Sequence, residues 1–342
     1  MSKINLLTIH WGCSYGGTLQ TYSTIKLLES LGHQVTLINL VHPDSTFKAK
    51  YKSLYSLWDS GVYVSFSKFR RMYFPKMTKK MFQITASKIP SCDYYVVGSD
   101  QVWNDNITTS LKKSYFLDFV DKTPKISLSS SFGKDTFEWS RDYQEFVSDA
   151  LRRFKAVSVR EASGVAFCQD YLNVNAIQLL DPTLLWGQFN DIVKVNKAKK
   201  QIFPFIFKKS EEAGAIIKTI SSTLGLPIFS YSYYARIFGR SPQTWLDNMK
   251  NSDFIITDSF HGLAFSLMFH KRFVVLCADN DKFTRLQSLL ELINLEERYV
   301  SSLTDLNNRI HVLKEEIDYS RVDNILNEKR GEAISFLRQV LN

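Results

Sequence analysis

Short apolar runs that alternate with helical patterns constrain this chain more than any other feature of its sequence. Residues 4–9, 35–40 and 94–97 have the length and composition of buried strands. Residues 18–31 place apolar side chains on one face of a helix that stops at Gly32. Strands that alternate with helices favour parallel sheets, because each parallel pair needs a helical crossover. Further strands are predicted at 125–130, 156–159, 177–180, 202–207, 227–231, 254–257 and 272–276, and further helices at 143–154, 211–224, from Ser241 onward, and at 319–341.

Length and one change of composition predict two domains. A chain of 342 residues exceeds the usual size of one hydrophobic core. The stretch 187–201 is polar, lysine-rich and without periodicity, so we place the boundary there. We predict an α/β protein in which residues 1–187 form an N-terminal Rossmann-like domain with an insertion at 43–90. Residues 188–318 form a second such domain, and the helix 319–342 packs back across both.

The composition narrows the classes of partner and cofactor. The net charge of +9, from 43 basic and 34 acidic residues, favours anionic partners such as phosphorylated metabolites. No His and Cys residues have the spacing of a metal site, so we expect no metal. The four scattered cysteines and the lack of a signal-like segment or an apolar run of ~20 residues predict a cytoplasmic protein.

The segment 48–80 concentrates positive charge and aromatic rings. It holds nine Lys or Arg residues, one acid, Asp59, and eight Tyr, Trp or Phe residues. This composition suits an anionic membrane surface, where rings and cations meet lipid headgroups, so a peripheral location at the inner face of the membrane is one prediction. It also suits a helical insertion whose rings face the core. Single-stranded nucleic acid is a third reading, and we predict no nucleic-acid partner.

Compact polar or glycine-bearing loops follow several of the predicted strands. Ligands of open parallel sheets bind outside the carboxyl ends of the strands, so we expect these loops to meet there, with the natural site in the cleft that two facing domains leave. Glycines before a helix let backbone N–H groups approach an anion. The residues that we single out in the first part of the chain are Tyr15, Gly16, Gly17, Ser99, Asp100, Asn104, Arg160 and Glu161.

The most informative loop is Asp258-Ser259-Phe260-His261-Gly262. It follows an apolar strand and opens an apolar helix, so His261 is expected beside the positive end of a helix dipole. An imidazole there can exchange a proton near neutral pH. A core histidine held by hydrogen bonds is the competing interpretation. Lys282 and Arg285, which follow the next strand, are candidate anion ligands or simply a solvated helix start.

Together these loops resemble the polysaccharide pyruvyl transferase family. The resemblance covers most of the chain and depends chiefly on two strings, Gly-Ser-Asp-Gln-Val-Trp-Asn at 98–104 and Ser-Phe-His-Gly at 259–262. It also includes Tyr-Gly-Gly-Thr-Leu-Gln at 15–20, Ser-Phe-Gly at 131–133, Val-Arg-Glu at 159–161 and Asp-Pro-Thr at 181–183. Many members carry an arginine where this chain has Phe260, so its anion ligands must come from elsewhere.

The resemblance implies a GT-B-like, two-domain transferase. It implies transfer of the enolpyruvyl unit of phosphoenolpyruvate, without a cofactor, to a sugar of a surface polysaccharide such as a capsule or exopolysaccharide, or of its polyprenyl-diphosphate-linked precursor. The products are a pyruvate ketal and phosphate. His261, Arg160, Asp100 and Asp258 would be catalytic, and Ser259 and Gly262 would join the binding residues. A nucleotide-sugar glycosyltransferase and a non-catalytic sugar or lipid-carrier binding protein are the two alternatives.

Overall fold

The computed structural model describes residues 1–43, 57–74, 76–133, 139–194, 198–230, 240–276 and 280–342, without the side chains of 57–60 and 280–284. These residues form two compact units. The first unit comprises Met1–Trp186 together with Lys329–Asn342, and the second comprises Gly187–Glu328. The boundary at Gly187 lies where apolar periodicity stops in the sequence.

A parallel sheet organises the first unit. Its strand order is β2-β1-β3-β4, and β5 and β6 pair separately, also in parallel. Single bridges from Ile126 to Ala156 and from Ser130 to Val159 connect β4 to β5. The strands are β1 (Lys3–Leu7), β2 (Gln34–Leu37), β3 (Tyr94–Val97), β4 (Lys125–Ser127), β5 (Ser158–Val159) and β6 (Ile177–Gln178).

Helices between the strands of the first unit serve as the crossovers that parallel pairing requires. Ser14 caps the first of them by accepting a hydrogen bond from the Gly17 amide, and Leu19 and Leu28 are fully buried on it. The helices are α1 (Tyr15–Ser30), α2 (Leu57–Tyr73), α3 (Asp105–Thr108), α4 (Arg141–Arg152), α5 (Ala162–Leu172) and α6 (Pro182–Trp186), with 3₁₀ turns at Ala86–Lys88, Thr109–Leu111 and Ser114–Phe116.

The second unit repeats the parallel arrangement. Its strand order is β10-β9-β8-β7, and each neighbouring pair is parallel. The strands are β7 (Lys199–Phe205), β8 (Ser252–Thr257), β9 (Arg272–Leu276) and β10 (Tyr299–Val300). The helices are α7 (Glu211–Leu224), α8 (Pro242–Asn251), α9 (Phe260–Met268), α10 (Asn280–Leu292) and α11 (Leu303–Asn308), with 3₁₀ turns at Glu296–Arg298 and Ile310–Leu313. The last helix, α12 (Tyr319–Val340), begins in this unit, and its residues from Lys329 onward belong to the first unit.

The predicted α/β class with Rossmann-like parallel sheets is confirmed, and two details of the strand prediction are wrong. Residues 227–230 form one bridge, from Ile228 to Ile202, rather than a strand, and Tyr231 lies outside the described residues. The strand Tyr299–Val300 was not predicted, because two residues are too short to show a period. It forms nonetheless because its register with Val275 and Leu276 completes the sheet edge.

The described part of the basic aromatic segment packs against the first unit. In α2, the Phe66 and Phe69 side chains are buried, and Phe66 contacts Tyr15 with ring centroids 5.1 Å apart. After the helix, Met77 and Met81 bridge to Leu37 and Leu40 and extend the sheet beyond β2. These rings therefore face the core, as in the helical-insertion reading, while residues 48–56 and 75 lie outside the description. No helix in the described ranges is long and apolar enough to cross a bilayer.

Candidate functional site

The sheet register of the first unit brings three polar loops together. Asp100 bridges to Ser130 in parallel, and Ser130 bridges to Val159, so the loops after β3, β4 and β5 lie side by side. Backbone hydrogen bonds fix this order, with the Ser131 amide donating to the Asp100 carbonyl at 3.0 Å and the Arg160 amide to the Ser130 carbonyl at 3.0 Å. The sequence prediction that loops remote along the chain meet at one edge is therefore correct for this unit.

At this edge Arg160 lies between two acids of its own unit. Its Nε donates to Glu161 Oε1 at 2.9 Å, and its Nη1 donates to Asp181 Oδ2 at 3.0 Å. The three side chains are 5% exposed or less. Ser131 donates to the same Glu161 oxygen at 2.7 Å, and Ser99 donates to Asp181 Oδ2 at 2.8 Å. The guanidinium thus stabilises a buried polar network.

This network changes the interpretation of Arg160. Burial by itself lowers the pKa of Arg160, but the negative charges of Glu161 and Asp181 outweigh it and raise that pKa above its ordinary value. The sequence suggested a guanidinium fork offered to a substrate anion. In the structure, two of its N–H groups bind acids of the chain and its positive charge is compensated, so the geometry favours a positioning role. Glu161, predicted to bind substrate, is engaged in the same network.

A carboxylate of the chain faces the start of α1. A Cβ atom placed on Gly17 would lie 3.1 Å from Asp100 Oδ2 and 3.2 Å from the Ile9 carbonyl oxygen. The Gly17 amide already donates to Ser14 Oγ at 3.1 Å. Glycine at 17 therefore lets the Asp100 loop approach the helix. The N-terminal end of α1 thus has a carboxylate of the chain beside it, where the sequence predicted a ligand anion.

The loop after β3 is itself tightly constrained. Asp100 adopts a left-handed backbone conformation with φ of 70°, which costs energy for a residue other than glycine. Asn104 caps α3 by accepting from the Asn106 amide, and its Nδ2 donates to Gln101 Oε1 at 2.8 Å. A Cβ atom on Gly133 would overlap Gln101 Oε1, so glycine there admits this pair. Asn104, predicted to bind substrate, thus has structural hydrogen bonds as well.

His261 occupies the first turn of α9 in the second unit. It is 8% exposed, so its side chain is almost enclosed. Its neighbour Gly262 is required sterically, because a Cβ atom there would overlap Thr257 Oγ1. That hydroxyl donates to the Phe205 carbonyl at 2.9 Å and accepts from the Ser259 amide at 3.1 Å. The close approach of helix and strand therefore fixes the backbone that carries His261.

Asp258 binds the backbone of the loop after β7. Its two carboxylate oxygens accept from the Phe207 amide at 2.8 and 2.9 Å, and Oδ2 accepts from the Lys208 amide at 2.8 Å. These bonds from two backbone amides to one carboxylate hold the two loops together. Arg285 is half-buried in α10, and Lys282 is in the same helix with its side chain outside the described part.

One set of polar residues had been assigned no role from the sequence. His10, three residues after β1, is 1% exposed, with Nδ1 3.1 Å from the Thr8 carbonyl oxygen and Nε2 3.1 Å from Asn39 Oδ1. Burial lowers the pKa of His10 to about 4, so this ring is neutral at pH 7. Arg70 of α2 donates from Nη1 to the carbonyls of His10 and Gly12. The charge of the basic segment drew attention to the region of Arg70. The partners of Arg70 could not be predicted, because they lie about 60 residues away in sequence.

Comparisons with known proteins agree with this architecture. The family model described as polysaccharide pyruvyl transferase matches residues 15–279. The fold is similar to UDP-N-acetylglucosamine 2-epimerase from Rickettsia bellii, at 10% identity, with 100% of this chain and 96% of the other covered and a TM-score of 0.55. It is similar to UDP-GlcNAc 2-epimerase from Neisseria meningitidis bound to UDP-GlcNAc, at 11% identity, with 99% of each chain covered and a TM-score of 0.50.

These structural similarities concern the fold alone, and they agree with the expected α/β architecture of Rossmann-like parallel sheets in two units. No curated protein sequence matches the chain. Across the described ranges, no three His, Cys, Asp or Glu side chains are grouped so as to hold a metal ion.

Proposed function

Because this chain belongs to the polysaccharide pyruvyl transferase family, we propose that it transfers the enolpyruvyl unit of phosphoenolpyruvate to a sugar and releases phosphate. The observation that carries the proposal is the family match over residues 15–279, which spans loops of both units. That span includes Gly16 and Gly17 in the first turn of α1 and residues 258–262, which lead into the first turn of α9.

The chemistry requires proton transfer and charge stabilisation. One sugar hydroxyl bonds to C2 of the donor while C3, its methylene carbon, gains a proton and becomes a methyl group. A second hydroxyl of the same sugar then bonds to C2, and the C2–O bond to phosphate breaks. Of the two hydroxyl protons, one balances the proton taken up by C3 and the other leaves with phosphate. The product is a cyclic ketal, and no oxidant or reductant is consumed.

His261 is our candidate for the acid that protonates the methylene carbon. It lies in the first turn of a nine-residue helix, where the helix dipole and the N–H groups that have no partner within the helix favour an anion nearby. Its near-enclosure excludes most water, which strengthens electrostatic interactions with a bound anion. General acid catalysis by a positioned group contributes on the order of 10²–10⁴-fold in rate. A role in neutralising the departing phosphate uses the same position.

Asp100 is our candidate base for a sugar hydroxyl. Asp258 is held by the Phe207 and Lys208 amides, and Glu161 is engaged by Arg160 and Ser131, so these two carboxylates are committed to structure. Asp100 lies in a left-handed loop conformation beside Gly17. Backbone strain of this kind concentrates at functional sites.

The proposal is tested by incubating the protein with phosphoenolpyruvate and candidate sugars and measuring released phosphate. A ketal product must gain the mass of one pyruvate less one water, and both readouts must appear together. Turnover of a nucleotide sugar, with glycosyl transfer and no phosphate from phosphoenolpyruvate, would instead identify a glycosyltransferase. Saturable ligand binding without any turnover would identify a binding protein.

A further inference from the structure

The first unit contains a cavity that holds none of the residues to which the proposed reaction assigns a role. Its volume is about 220 Å³, and it opens between the loop after β1 and the basic helix α2. This is smaller than the ~300–1,000 Å³ of a typical site for a drug-sized ligand, so it suits one head group rather than a whole substrate. The described residues that line it are His10, Trp11, Gly12, Asn39, Val41, Tyr63, Ser67, Arg70, Arg71, Met77 and Lys80.

Arg70 gives the cavity a fixed positive charge. Its Nη1 donates to the Gly12 carbonyl at 2.8 Å and to the His10 carbonyl at 3.3 Å, which holds the guanidinium in place. These contacts are dipoles rather than negative charges. Burial accordingly lowers the pKa of Arg70, the opposite of what the acids beside Arg160 do. An anion bound in the cavity would compensate the positive charge of Arg70, as Glu161 compensates that of Arg160.

Two more cations line the same cavity. Arg71 and Lys80 are exposed, and the described lining residues include no Asp or Glu. His10 is neutral at pH 7 and adds hydrogen-bonding capacity rather than charge. Three fixed or mobile positive charges around a small volume match a group that carries two or three negative charges.

A second cavity among the described residues of this unit shows the contrast. It is lined by two arginines, Arg141 and Arg152, but also by Glu145 and Asp149. Arg141 pairs with Glu145 at 2.9 Å, and Arg152 pairs with Asp149 at 3.2 Å. Its positive charges are thus balanced within α4, so excess positive charge distinguishes the cavity beside Arg70.

Aromatic rings border the cations. Trp11 donates from Nε1 to the Tyr115 hydroxyl at 3.2 Å, and its ring lies 5.4 Å from that of His42, so the indole is held in one orientation. Tyr63 contributes a second ring from α2. Flat apolar surfaces beside a phosphate-sized cationic cavity suit a sugar ring joined to that phosphate group.

We propose that this cavity binds the diphosphate group of a glycosyl diphosphate, with Arg70, Arg71 and Lys80 as its ligands. The assignment rests on the proposed function, because it makes the acceptor a sugar joined to a diphosphate. The donor phosphate is assigned to the His261 loop, which leaves the Arg70 cavity for a second phosphorylated substrate. The diphosphate ester is the shared chemistry of a nucleoside-diphosphate sugar and a prenyl-diphosphate sugar.

The first test is calorimetric titration with inorganic pyrophosphate at fixed ionic strength. Arg71→Gln/Lys80→Gln removes two exposed charges without touching the half-buried Arg70, so the fold should survive. We expect pyrophosphate affinity to fall at least about tenfold in this double variant. Arg141→Gln, which removes an exposed cation from the balanced cavity, should leave the affinity unchanged. Equal affinity in the wild type and the double variant overturns the assignment.

Further titrations separate the sources of the phosphate. A nucleoside-diphosphate sugar and a short-chain prenyl-diphosphate sugar are each titrated into the wild type and the double variant. The ligand whose affinity falls more in the double variant is the glycosyl diphosphate that the cavity binds, and either result supports the proposal. If the double variant loses affinity for phosphoenolpyruvate but not for either glycosyl diphosphate, the cavity is the donor site and the proposal is overturned. Loss of binding to phosphatidylglycerol vesicles with unchanged pyrophosphate affinity would make it a membrane contact and overturn it.

The two proposals fail separately. Wild-type protein that binds pyrophosphate through Arg71 and Lys80 but releases no phosphate from phosphoenolpyruvate counts against the transferase proposal only. Protein that forms the ketal on sugars but does not bind pyrophosphate counts against the diphosphate assignment only.

Discussion

The guanidinium of Arg160 donates to the carboxylate of Asp181 at 3.0 Å, across 21 residues of sequence, with both side chains 2% exposed or less. Asp181 also accepts from the Thr183 amide and hydroxyl at 2.9 and 2.7 Å. The pair therefore joins the loop after β5 to the start of α6. A cation that is compensated in this way holds the sheet edge in place, whatever reaction occurs there.

Arg160→Ala should destabilise the first unit by about 3–5 kcal/mol, because it leaves two buried carboxylates without their cation. Arg160→Lys should lose less stability, because an ammonium group keeps the positive charge although it cannot bind two carboxylates with the planar geometry of a guanidinium. Urea unfolding gives the free energies, and Arg141→Ala, whose ion pair is exposed, should change them by about 0–1 kcal/mol. If Arg160→Ala is as stable as the wild type while the Michaelis constant for phosphoenolpyruvate rises, Arg160 binds substrate as first predicted.

His261→Ala should abolish transfer, with the fold retained. The loss should reach on the order of 10²–10⁴-fold in kcat, the usual contribution of a general acid or base. Phosphate release from phosphoenolpyruvate measures it, and the melting temperature checks the fold. His311→Ala, at a side chain that is 64% exposed, is the matched control and should keep wild-type turnover. Near wild-type turnover of the His261 variant would remove this residue from the mechanism.

Gly262→Ala should destabilise the second unit by about 1–3 kcal/mol, because the new methyl group overlaps Thr257 Oγ1 in a packed core. Gly214→Ala is the matched control in the helix α7, where a Cβ atom meets nothing within 4 Å. It should leave stability unchanged or raise it by about 0.5–1 kcal/mol. Chemical denaturation gives the free energy of unfolding of both variants. Equal free energies would mean that strand β8 moves to accommodate the new methyl group and would contradict the prediction.

His10 should make the stability of the first unit depend on pH. Its pKa is lowered from 6.5 to about 4 in the folded state, so between these values the unfolded state binds more protons. The stability that neutral His10 contributes is complete above pH 6.5 and falls by about 3 kcal/mol as the pH drops toward 4. Denaturation at several pH values should show a shallower slope for His10→Asn. Identical slopes would show that His10 titrates normally.

The exposed cations of segment 48–80 should bind anionic vesicles weakly and reversibly. Each basic residue near an anionic surface contributes about 1 kcal/mol, and Lys68, Arg71 and Lys76 are exposed. Phe66 and Phe69 are buried, so we expect electrostatic adsorption without ring insertion. Co-sedimentation with phosphatidylglycerol vesicles should decline as salt rises. Binding that persists at high salt, or that is equal for neutral vesicles, would contradict an electrostatic contact.

The local pattern of the sequence determined the elements and the places where chemistry could occur. Apolar periodicity depends on neighbours a few residues apart, and it predicted the helix Glu211–Leu224 and the strand Arg272–Leu276 with the bounds that the structure has. The polar loops that follow the predicted strands were also recognisable, because they interrupt the apolar runs locally. The parallel class followed, because alternating strands and helices leave few other arrangements.

Only the tertiary structure decided which charges are compensated. Arg160 lies against an acid 21 residues away, and Arg70 lies against carbonyls 58 and 60 residues away. The availability of a guanidinium depends on these partners, and they follow from strand register and helix packing rather than from local pattern. The sequence singled out Arg160 and showed Arg70 only as one charge of a basic segment. Folding compensated Arg160 with buried acids and left Arg70 beside a cavity among carbonyl dipoles.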